Sequence, residues 1–337
     1  MNDMIEKFEL PLVMGRRSDG ADWVADLASF PHILIGGMAG SGKSSFLRSA
    51  LAGFIQNRSP EELKLIIYDG KACEWMDIKP TFPYLLAPVM TQNMCCVLAW
   101  SVREIERRQK LFERAGCSGL CEFNRRGTSA TDGLPKTLPR IVIVMDIVQG
   151  DIVDLMWIYE REMAYYFGKI ARCDKARAGI HLIYTTRRHR GSDRMWCLMK
   201  DLFGARLAFK VPEKYDSQRF VGDDGAAELD ERGSFLLRLP DGTLERGCGA
   251  YISDEEWQKT VANKMSQYGS RTLGVGDFVI MGKPWLHDRE YLYKRAGEIC
   301  RERGKATTAI LQRELEIGYR MAEELVNRLK ADGLVKE

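Results

Sequence analysis

Short, continuous apolar runs alternate with segments of helical apolar spacing along most of the chain. The apolar runs are too short for buried helices and rich enough in Ile, Leu and Val to be strands. Strand patterns occur at 10–15, 31–37, 64–69, 139–146, 179–186, 205–211 and 234–239, and helical patterns at 44–57, 91–115, 152–172 and 193–203. Because continuous apolar strands alternating with helices are typical of a mostly parallel sheet covered on both faces, we predict an α/β domain over residues 1–265.

The pattern changes near residue 266. Residues 266–289 contain four glycines and one proline and show no helical period, so we interpret them as a linker. Residues 290–337 are highly charged and helical in pattern, and a tight turn at Gly318 joins the last two helices. This arrangement is typical of a helix-turn-helix, and we predict a small winged-helix domain with little or no wing before the chain ends at Glu337.

Composition narrows the class of protein but not its partner. The chain has 337 residues, of which 45% are hydrophobic and 29% charged, as in ordinary globular proteins. Its net charge of +3 neither favours nor excludes a polyanionic partner. The lack of an apolar run of about 18 residues and of a secretory signal predicts a cytoplasmic protein without a membrane span. The nine cysteines are an odd, scattered set, so we expect reduced thiols.

A full GxxxxGK[ST] motif lies between the first buried strand and the first helix. Its glycines let consecutive backbone N–H groups surround phosphates at a helix N-terminus. The Lys43 ammonium reaches the β- and γ-phosphates and the Ser44 hydroxyl ligates Mg²⁺, so the motif predicts ATP and Mg²⁺ as cofactors. The predicted nucleotide-binding residues are Gly37, Met38, Ala39, Gly40, Ser41, Gly42, Lys43, Ser44 and Ser45.

An acidic residue at the end of a buried strand should complete the Mg²⁺ site. Asp146 follows the apolar run PRIVIVM and is our predicted metal partner of Ser44. Asp69 ends the shorter run KLIIY and is the competing candidate, with a structural role as its alternative.

A basic cluster follows the strand at 179–186. It comprises Arg187, Arg188, His189, Arg190 and Arg194, and only Asp193 offsets its charge. Such a basic loop could bind the phosphates of a nucleotide or of nucleic acid, or it could simply be a solvated surface loop.

Several segments, in this order, resemble the motor region of the FtsK/SpoIIIE family of hexameric DNA translocases. They are VADLASFPHILIGGMAGSGKSS, EELKLIIYDGKACEW, WSVREIERRQKLF, KARAGIHLIYTTRR, GARLAFKV and KYDSQRFVGDDGAAEL. The C-terminal TTAILQRELEIGYRMAEELVNRLKADGLV resembles the family's winged-helix γ domain. The resemblance implies a RecA-like P-loop NTPase that forms a homo-hexameric ring around double-stranded DNA and binds ATP between adjacent subunits.

The resemblance also implies roles for two arginines. Arg177 of KARAGIH matches an arginine that acts in trans on the γ-phosphate of the neighbouring subunit, the role of an arginine finger. Because this segment is one residue short, Arg206 of GARLAF is a second candidate, and a surface or packing role is the alternative for both. Together with Lys43 and Asp146, these arginines are the predicted catalytic residues.

Two positions depart from the family pattern near the phosphates. The family has Asp-Glu after the Walker B strand, whereas this chain has Asp146-Ile147, and isoleucine cannot orient or deprotonate a water molecule. Asp151 could replace the glutamate only if its loop folds back. The γ-phosphate-sensing glutamine of the family is Arg187 here. The sequence therefore supports ATP binding more strongly than ATP hydrolysis.

The predicted DNA contacts lie in the basic cluster and at the start of the last helix. They are Arg187, Arg188, Arg190, Tyr319 and Arg320. The family's recognition helix usually opens Tyr-Asn-Arg, whereas Arg320 and Met321 follow Tyr319 here, and Glu324 would repel phosphate. We therefore do not expect the family's orienting DNA sequence to be read in the same way.

Our leading hypothesis is a ring-forming, ATP-dependent double-stranded DNA translocase core from a phage or mobile element. One alternative is an ATP-binding but weakly or non-hydrolysing DNA-binding or assembly protein. Another is a conjugative coupling protein, because such proteins share the motor fold.

Overall fold

A mixed sheet covered on both faces forms between residues 11 and 268, and a group of three helices follows from residue 289. The computed structural model describes residues 5, 7–91, 94–127, 133–147, 163–173, 177–187, 193–271, 289–303, 307–315 and 317–334.

Within the described ranges, nine strands form one sheet in the order β2-β1-β9-β8-β7-β3-β6-β5-β4. Their bounds are β1 Pro11–Arg17, β2 Asp22–Asp26, β3 His32–Gly36, β4 Leu63–Asp69, β5 Arg140–Asp146, β6 Ile180–Thr186, β7 Ala205–Phe209, β8 Ser234–Arg238 and β9 Leu244–Gly249. Strands β7, β3, β6, β5 and β4 pair in parallel, which confirms the predicted parallel sheet. The ladders that join β8, β9, β1 and β2 to this half are antiparallel.

The strands at the centre of the sheet are buried on both faces. In β5, Val142 and Val144 join one apolar cluster, whereas Ile141, Ile143 and Met145 join the other. Such alternation requires helices on both sides. The helices are α1 Lys43–Asn57, α2 Met94–Ala115, α3 Leu120–Arg126, α4 at 163–172, α5 Asp193–Leu202, α6 Lys214–Val221 and α7 Asp254–Tyr268.

The two clusters show which helices cover each face. Phe46 of α1 and Trp257 of α7 belong to the cluster on one face. Val102 of α2, Phe167 of α4 and Phe220 of α6 belong to the cluster on the other. The predicted α/β architecture, with helices on both faces of the sheet, is therefore confirmed.

The apolar pattern alone does not reveal several elements. Strand β9 reads LERGCG and buries only one residue fully, so it lacks the continuous apolar run of the central strands. Helices α3 and α6 have seven and eight residues, too few to show a helical period. Helix α7 had a usable signal, because Ser253 and Glu256 form a capping box at its start. Of the predicted helix at 152–172, residues 152–162 lie outside the described part of the chain.

Helix α7 packs on α1 and on the loop that follows β4. The rings of Trp257 and Trp75 are in edge contact, with centroids 5.8 Å apart. The Trp257 indole N–H donates to Asp77 Oδ2 at 2.9 Å. Arg48 of α1 forms an ion pair with Asp254 at the start of α7. These contacts fix the last helix of the sheet domain to the nucleotide end of α1.

The C-terminal helices are α8 Arg289–Arg303, α9 Thr308–Leu315 and α10 Tyr319–Ala331. They share an apolar cluster of their own that includes Leu292, Leu311 and Leu325. Gly318 is the N-cap of α10, where the sequence predicts the turn between two helices. The described residues here include no strand that could form a wing. Helix α7 continues beyond residue 266, and most of the predicted linker lies outside the described residues.

No helix in the described ranges combines the length and the apolar character needed to cross a lipid bilayer.

Candidate nucleotide-binding site

The predicted phosphate-binding loop connects β3 to α1 at the carboxyl end of the parallel strands. Gly37 and Gly42 have φ values of 145° and 112°, which residues with side chains rarely adopt. A Cβ at Gly42 would also approach the backbone of Gly233 to 3.1 Å. The Met38 N–H donates to the carbonyl of Lys210 at 2.8 Å and so holds the loop against the end of β7. The glycines of the motif are therefore required by the shape of the loop.

The loop presents a surface suited to an anion. Met38, Ala39 and Gly40 are exposed, whereas Ser44 and Ser45 are half-buried in the first turn of α1. That turn carries no acidic side chain. Its unpaired N–H groups and the positive end of the helix dipole therefore favour a phosphate group.

Lys43 folds back onto its own loop. Its ammonium donates to the carbonyls of Gly37 at 2.5 Å and Met38 at 2.8 Å. Burial, followed by the charges of Lys71 and Arg187, lowers the pKa of Lys43 to about 8, although Asp146 acts in the opposite direction. The lysine is thus held among cations in a partly desolvated site, where phosphate oxygens would be better partners than carbonyls.

Nucleotide affinity is expected to fall as the pH rises above about 8. Bound phosphates favour the charged ammonium and raise the Lys43 pKa again, so above pH 8 the complex holds one more proton than the free protein. By linkage, affinity then falls by about tenfold per pH unit. Titration with a fluorescent ATP analogue, from neutral pH to one unit above the Lys43 pKa, measures the slope. The Lys43→Arg variant should lose this dependence, and a flat wild-type profile would contradict the prediction.

Asp146 lies where the sequence predicts a metal ligand. Asp146 is 3% exposed, and its Oδ1 accepts a hydrogen bond of 2.5 Å from the Thr185 hydroxyl on β6. Its Oδ2 is 3.2 Å from the ammonium of Lys71. The same ammonium donates to the Ser44 hydroxyl at 3.0 Å. One cationic group therefore joins the two predicted Mg²⁺ ligands.

Asp69 has a different role, because its carboxylate accepts three hydrogen bonds from backbone N–H groups. It accepts hydrogen bonds from the N–H groups of Lys71 at 3.0 Å, Glu74 at 2.8 Å and Trp75 at 3.0 Å. These bonds shape the loop after β4. The arrangement fits the structural alternative for Asp69 and leaves Asp146 as the carboxylate that faces Ser44.

Sequence reasoning did not assign Lys71 and Glu74, which lie beside the predicted Mg²⁺ ligands. Lys71 contacts both Ser44 and Asp146, and its ammonium is 3.3 Å from Glu74 Oε2. The available signal was the position of Lys71 two residues beyond the end of β4, at the edge where the parallel strands converge. This position indicates a role at the site only once Lys71 is known to contact Asp146, which is far away along the chain.

The donor set at this edge fits a magnesium nucleotide. A hydroxyl and a carboxylate are the oxygen ligands that Mg²⁺ takes in phosphate-binding sites, together with waters and phosphate oxygens. Ser44 and Asp146 supply them, and Lys43 supplies a cation for the phosphates. The residues present therefore suit the predicted cofactors.

Arg177 lies at the other end of the sheet. It precedes β6, whereas Gly36, just before the phosphate-binding loop, pairs with Thr186 at the far end of β6. A strand of this length spans about 20 Å, which is more than an arginine side chain can reach. The backbone around Arg177 is fixed, because its carbonyl accepts from Leu120 N at 2.8 Å. Arg177 is exposed and cannot reach the nucleotide site of its own subunit.

Arg206, the second candidate for the arginine finger, is the second residue of β7, and its side chain is half-buried. Its Nε donates to the carbonyl of Phe220 at 2.8 Å, and Arg238 donates to the carbonyl of Val221 at 3.1 Å. Two arginines thus interact with the C-terminal end of α6, where cations are favoured by the helix dipole. Burial, and then the charge of Arg238, lower the pKa of Arg206. The geometry suits a packing role better than a catalytic one.

The two departures from the family pattern lie close to the site. Ile147 is 3% exposed and packs in the same apolar cluster as Tyr68 and Met163. Arg187 is near enough to Lys43 for its charge to lower the lysine's pKa. Arg187 therefore lies at the nucleotide end of β6. Of the two kinds of phosphate proposed for the basic cluster, this position favours that of a nucleotide over that of nucleic acid.

The remaining predicted positions fall into two groups. Tyr319 and Arg320 are exposed in the first turn of α10, and the Tyr319 hydroxyl donates to Glu323 at 3.0 Å. Arg188, Arg190 and Asp151 lie outside the described residues.

Known proteins share both parts of the sequence. The FtsK/SpoIIIE family profile matches residues 4–191, and the FtsK gamma domain profile matches residues 287–337. The chain is 30% identical to the DNA translocase FtsK of Agrobacterium fabrum and 32% identical to that of Pseudomonas putida, over 98% of this chain in both cases. It spans 40% and 43% of these relatives, which is less than half of their length.

Two solved structures share the fold. The pCW3 conjugation coupling protein TcpA, in monomer form with ATPγS, has a TM-score of 0.63 and 22% identity, over 78% of this chain and 73% of that one. The cytoplasmic domain of the Thermomonospora curvata type VII secretion ATPase EccC has a TM-score of 0.63 and 20% identity, over 80% and 32%. These likenesses confirm the P-loop ATPase fold. Since the family profile alone matches more than half of the sequence, the chain belongs to the FtsK/SpoIIIE family.

Proposed function

We propose that this chain is the ATP-dependent motor of a double-stranded DNA translocase that works as a homo-hexameric ring. The observation that carries the proposal is the convergence of Lys43, Ser44 and Asp146 at one end of the parallel strands. The relatives named DNA translocase FtsK support DNA as the partner.

In this proposal each side chain at the site has one task. Lys43 leaves the carbonyls of its loop and neutralises the β- and γ-phosphates. Ser44 and Asp146 hold Mg²⁺, which offsets phosphate charge when bound. Thr185 fixes the carboxylate of Asp146 through its hydrogen bond. Arg187 adds positive charge on the side of the site near β6.

A ring is supported by the position of Arg177. An exposed arginine on a fixed backbone, at the end of the sheet opposite its own phosphate-binding loop, could reach a nucleotide only if another subunit holds it. Stacking subunits head to tail around a closed ring would bring this end against a neighbour's nucleotide. The hydrolytic site would then be complete only between subunits.

DNA contacts are proposed at two places. Arg188 and Arg190, with Arg187, give the sequence after β6 the positive charge that a duplex backbone requires. Tyr319 and Arg320 lie exposed at the start of α10, the second helix of the helix-turn-helix, where such motifs read the major groove. Glu323 and Glu324 on the same helix favour contacts with bases over contacts with phosphates.

The test is ATP turnover by the purified protein with and without linear duplex DNA. We expect stimulation by DNA, and we expect Lys43→Ala to abolish turnover because Lys43 is the cation of the phosphate-binding loop that reaches the β- and γ-phosphates. Lys259→Ala, which removes an exposed lysine of α7, is the matched control and should leave turnover unchanged. Unaltered phosphate release by Lys43→Ala would show that the site is wrongly assigned.

Ile147 favours a second candidate, an ATP-binding assembly protein that hydrolyses slowly or not at all. The position that holds a glutamate in the family is apolar and buried here, so no proton acceptor follows Asp146 directly. ATP would then stabilise the ring on DNA without driving movement. The same assay decides between the candidates, because robust wild-type turnover excludes the second.

A further inference from the structure

The ammonium of Lys71 stands between the two side chains that would hold Mg²⁺. It is 3.0 Å from Ser44 Oγ and 3.2 Å from Asp146 Oδ2. Both contacts are within hydrogen-bond range, and the Lys71 side chain is only 19% exposed. A divalent ion bound by the same two oxygens would therefore have to displace this ammonium.

A cation at this point answers an electrostatic need. The Asp146 side chain is 5% exposed, and a carboxylate buried to this extent is costly unless it is paired. Lys71 provides the pairing from within the chain, without a metal. Its position is set by the loop after β4, because its backbone N–H donates to Asp69 at 3.0 Å.

Glu74 offers the ammonium a second partner. Its Oε2 is 3.3 Å from Lys71 Nζ, and both residues lie in the loop after β4. Glu74 is itself held firmly, since its N–H donates to Asp69 at 2.8 Å and its carbonyl accepts from Arg48 at 2.9 Å. Arg48 also lies 3.8 Å from the Glu74 carboxylate. Because the same ammonium is 3.2 Å from Asp146 Oδ2 and 3.3 Å from Glu74 Oε2, Lys71 can keep its contact with Glu74 when it gives up Asp146.

We propose that Lys71 is an internal competitor of Mg²⁺: its ammonium takes the metal position in the nucleotide-free protein and moves to Glu74 when the magnesium nucleotide binds. The inference rests on the proposed binding of Mg-ATP by Ser44 and Asp146. It makes Lys71 and Glu74 positioning residues that set how strongly nucleotide binding depends on the metal. Neither residue needs to contact the nucleotide.

The proposal predicts opposite effects for its two residues. In Lys71→Met the metal no longer displaces an ammonium, so affinity for a fluorescent ATP analogue in Mg²⁺ should rise. The ratio of affinities in Mg²⁺ and in EDTA should then increase by about tenfold. In Glu74→Gln the displaced ammonium has lost its second partner, so affinity in Mg²⁺, and with it this ratio, should fall by about tenfold.

The experiment measures these affinities for wild type, both variants and Lys79→Met, an exposed lysine of the same loop that serves as the control. The melting temperature in millimolar MgCl₂ without nucleotide provides a second readout. Mg²⁺ alone should stabilise Lys71→Met more than wild type, since Asp146 is left without its cation.

The outcomes separate the two proposals. A wild type that binds no nucleotide even in Mg²⁺ refutes the proposed function. A wild type with metal-dependent binding whose ratio stays the same in Lys71→Met and Glu74→Gln refutes the competition. Loss of binding by Lys71→Met at saturating Mg²⁺ also refutes it, because Lys71 would then act on the nucleotide itself.

Discussion

Replacing Arg177 with alanine is expected to lower DNA-stimulated ATP turnover by about a thousandfold, the usual contribution of an arginine finger. Nucleotide affinity and melting temperature should change little, because the side chain is exposed and far from the phosphate-binding loop of its own subunit. Steady-state turnover, together with titration of a fluorescent ATP analogue, measures both quantities. Arg114→Ala, which removes an exposed arginine at the end of α2, is the matched control.

Mixing experiments test whether the arginine acts across an interface. Arg177→Ala subunits retain a complete phosphate-binding loop, and Lys43→Ala subunits retain the arginine. Mixed rings of the two variants should therefore recover part of the turnover, since some interfaces combine both intact groups. No recovery in rings shown to be mixed, or a loss of nucleotide affinity in Arg177→Ala alone, would contradict action in trans.

Replacing Arg108 with alanine is expected to destabilise the sheet domain by about 3–5 kcal/mol. The residue is 1% exposed, and its guanidinium donates to Glu104 at 2.8 Å and to the carbonyl of Ala178 at 2.9 Å. Its removal leaves a void and an unpaired buried carbonyl. Melting temperature should fall by about 10 °C, given the usual scaling for a domain of this size.

The adjacent arginine provides a close control. Arg107 binds the same Glu104 carboxylate, at 2.7 Å, but its side chain is 51% exposed. Exposed ion pairs of this kind contribute about 0.2–1 kcal/mol, so Arg107→Ala should leave the melting temperature nearly unchanged. Equal losses in the two variants would show that burial of Arg108 is not the cause. The Ala178 contact also predicts that Arg108→Ala disturbs the backbone that carries Arg177.

The parts of the site that arise from neighbouring residues could be predicted from the sequence. The phosphate-binding loop is contiguous, so its glycines, Lys43 and Ser44 were recognisable together. Asp146 was recognisable because it ends the apolar strand β5. Thr185 was not assigned, since its hydrogen bond to Asp146 depends on how β6 aligns with β5.

Other features depend on contacts that no local pattern records. Lys71 acquires its role from Asp146, which is 75 positions away along the chain. The alternating charges around Arg107 and Arg108 are typical of a helix face exposed to solvent. Only the contact with Ala178 shows that Arg108 is buried, whereas Arg107 is exposed. In the antiparallel half of the sheet, β1 and β8 were predicted at 10–15 and 234–239, whereas β9 was missed because its sequence, LERGCG, has no apolar run.

The attachment of α7 has a mechanical consequence. Trp257 and Asp254 connect this helix to Asp77 and Arg48, beside the loop that carries Lys71 and Glu74. Tension that enters the sheet domain through the chain beyond Arg271 would act first on the hydrogen bond from the Arg271 N–H to the Thr81 carbonyl, and next on α7 and these contacts. In the proposed translocase, a load on the C-terminal helices would thus reach the loop beside the phosphates, and pulling by bound DNA would alter how readily each subunit holds its nucleotide.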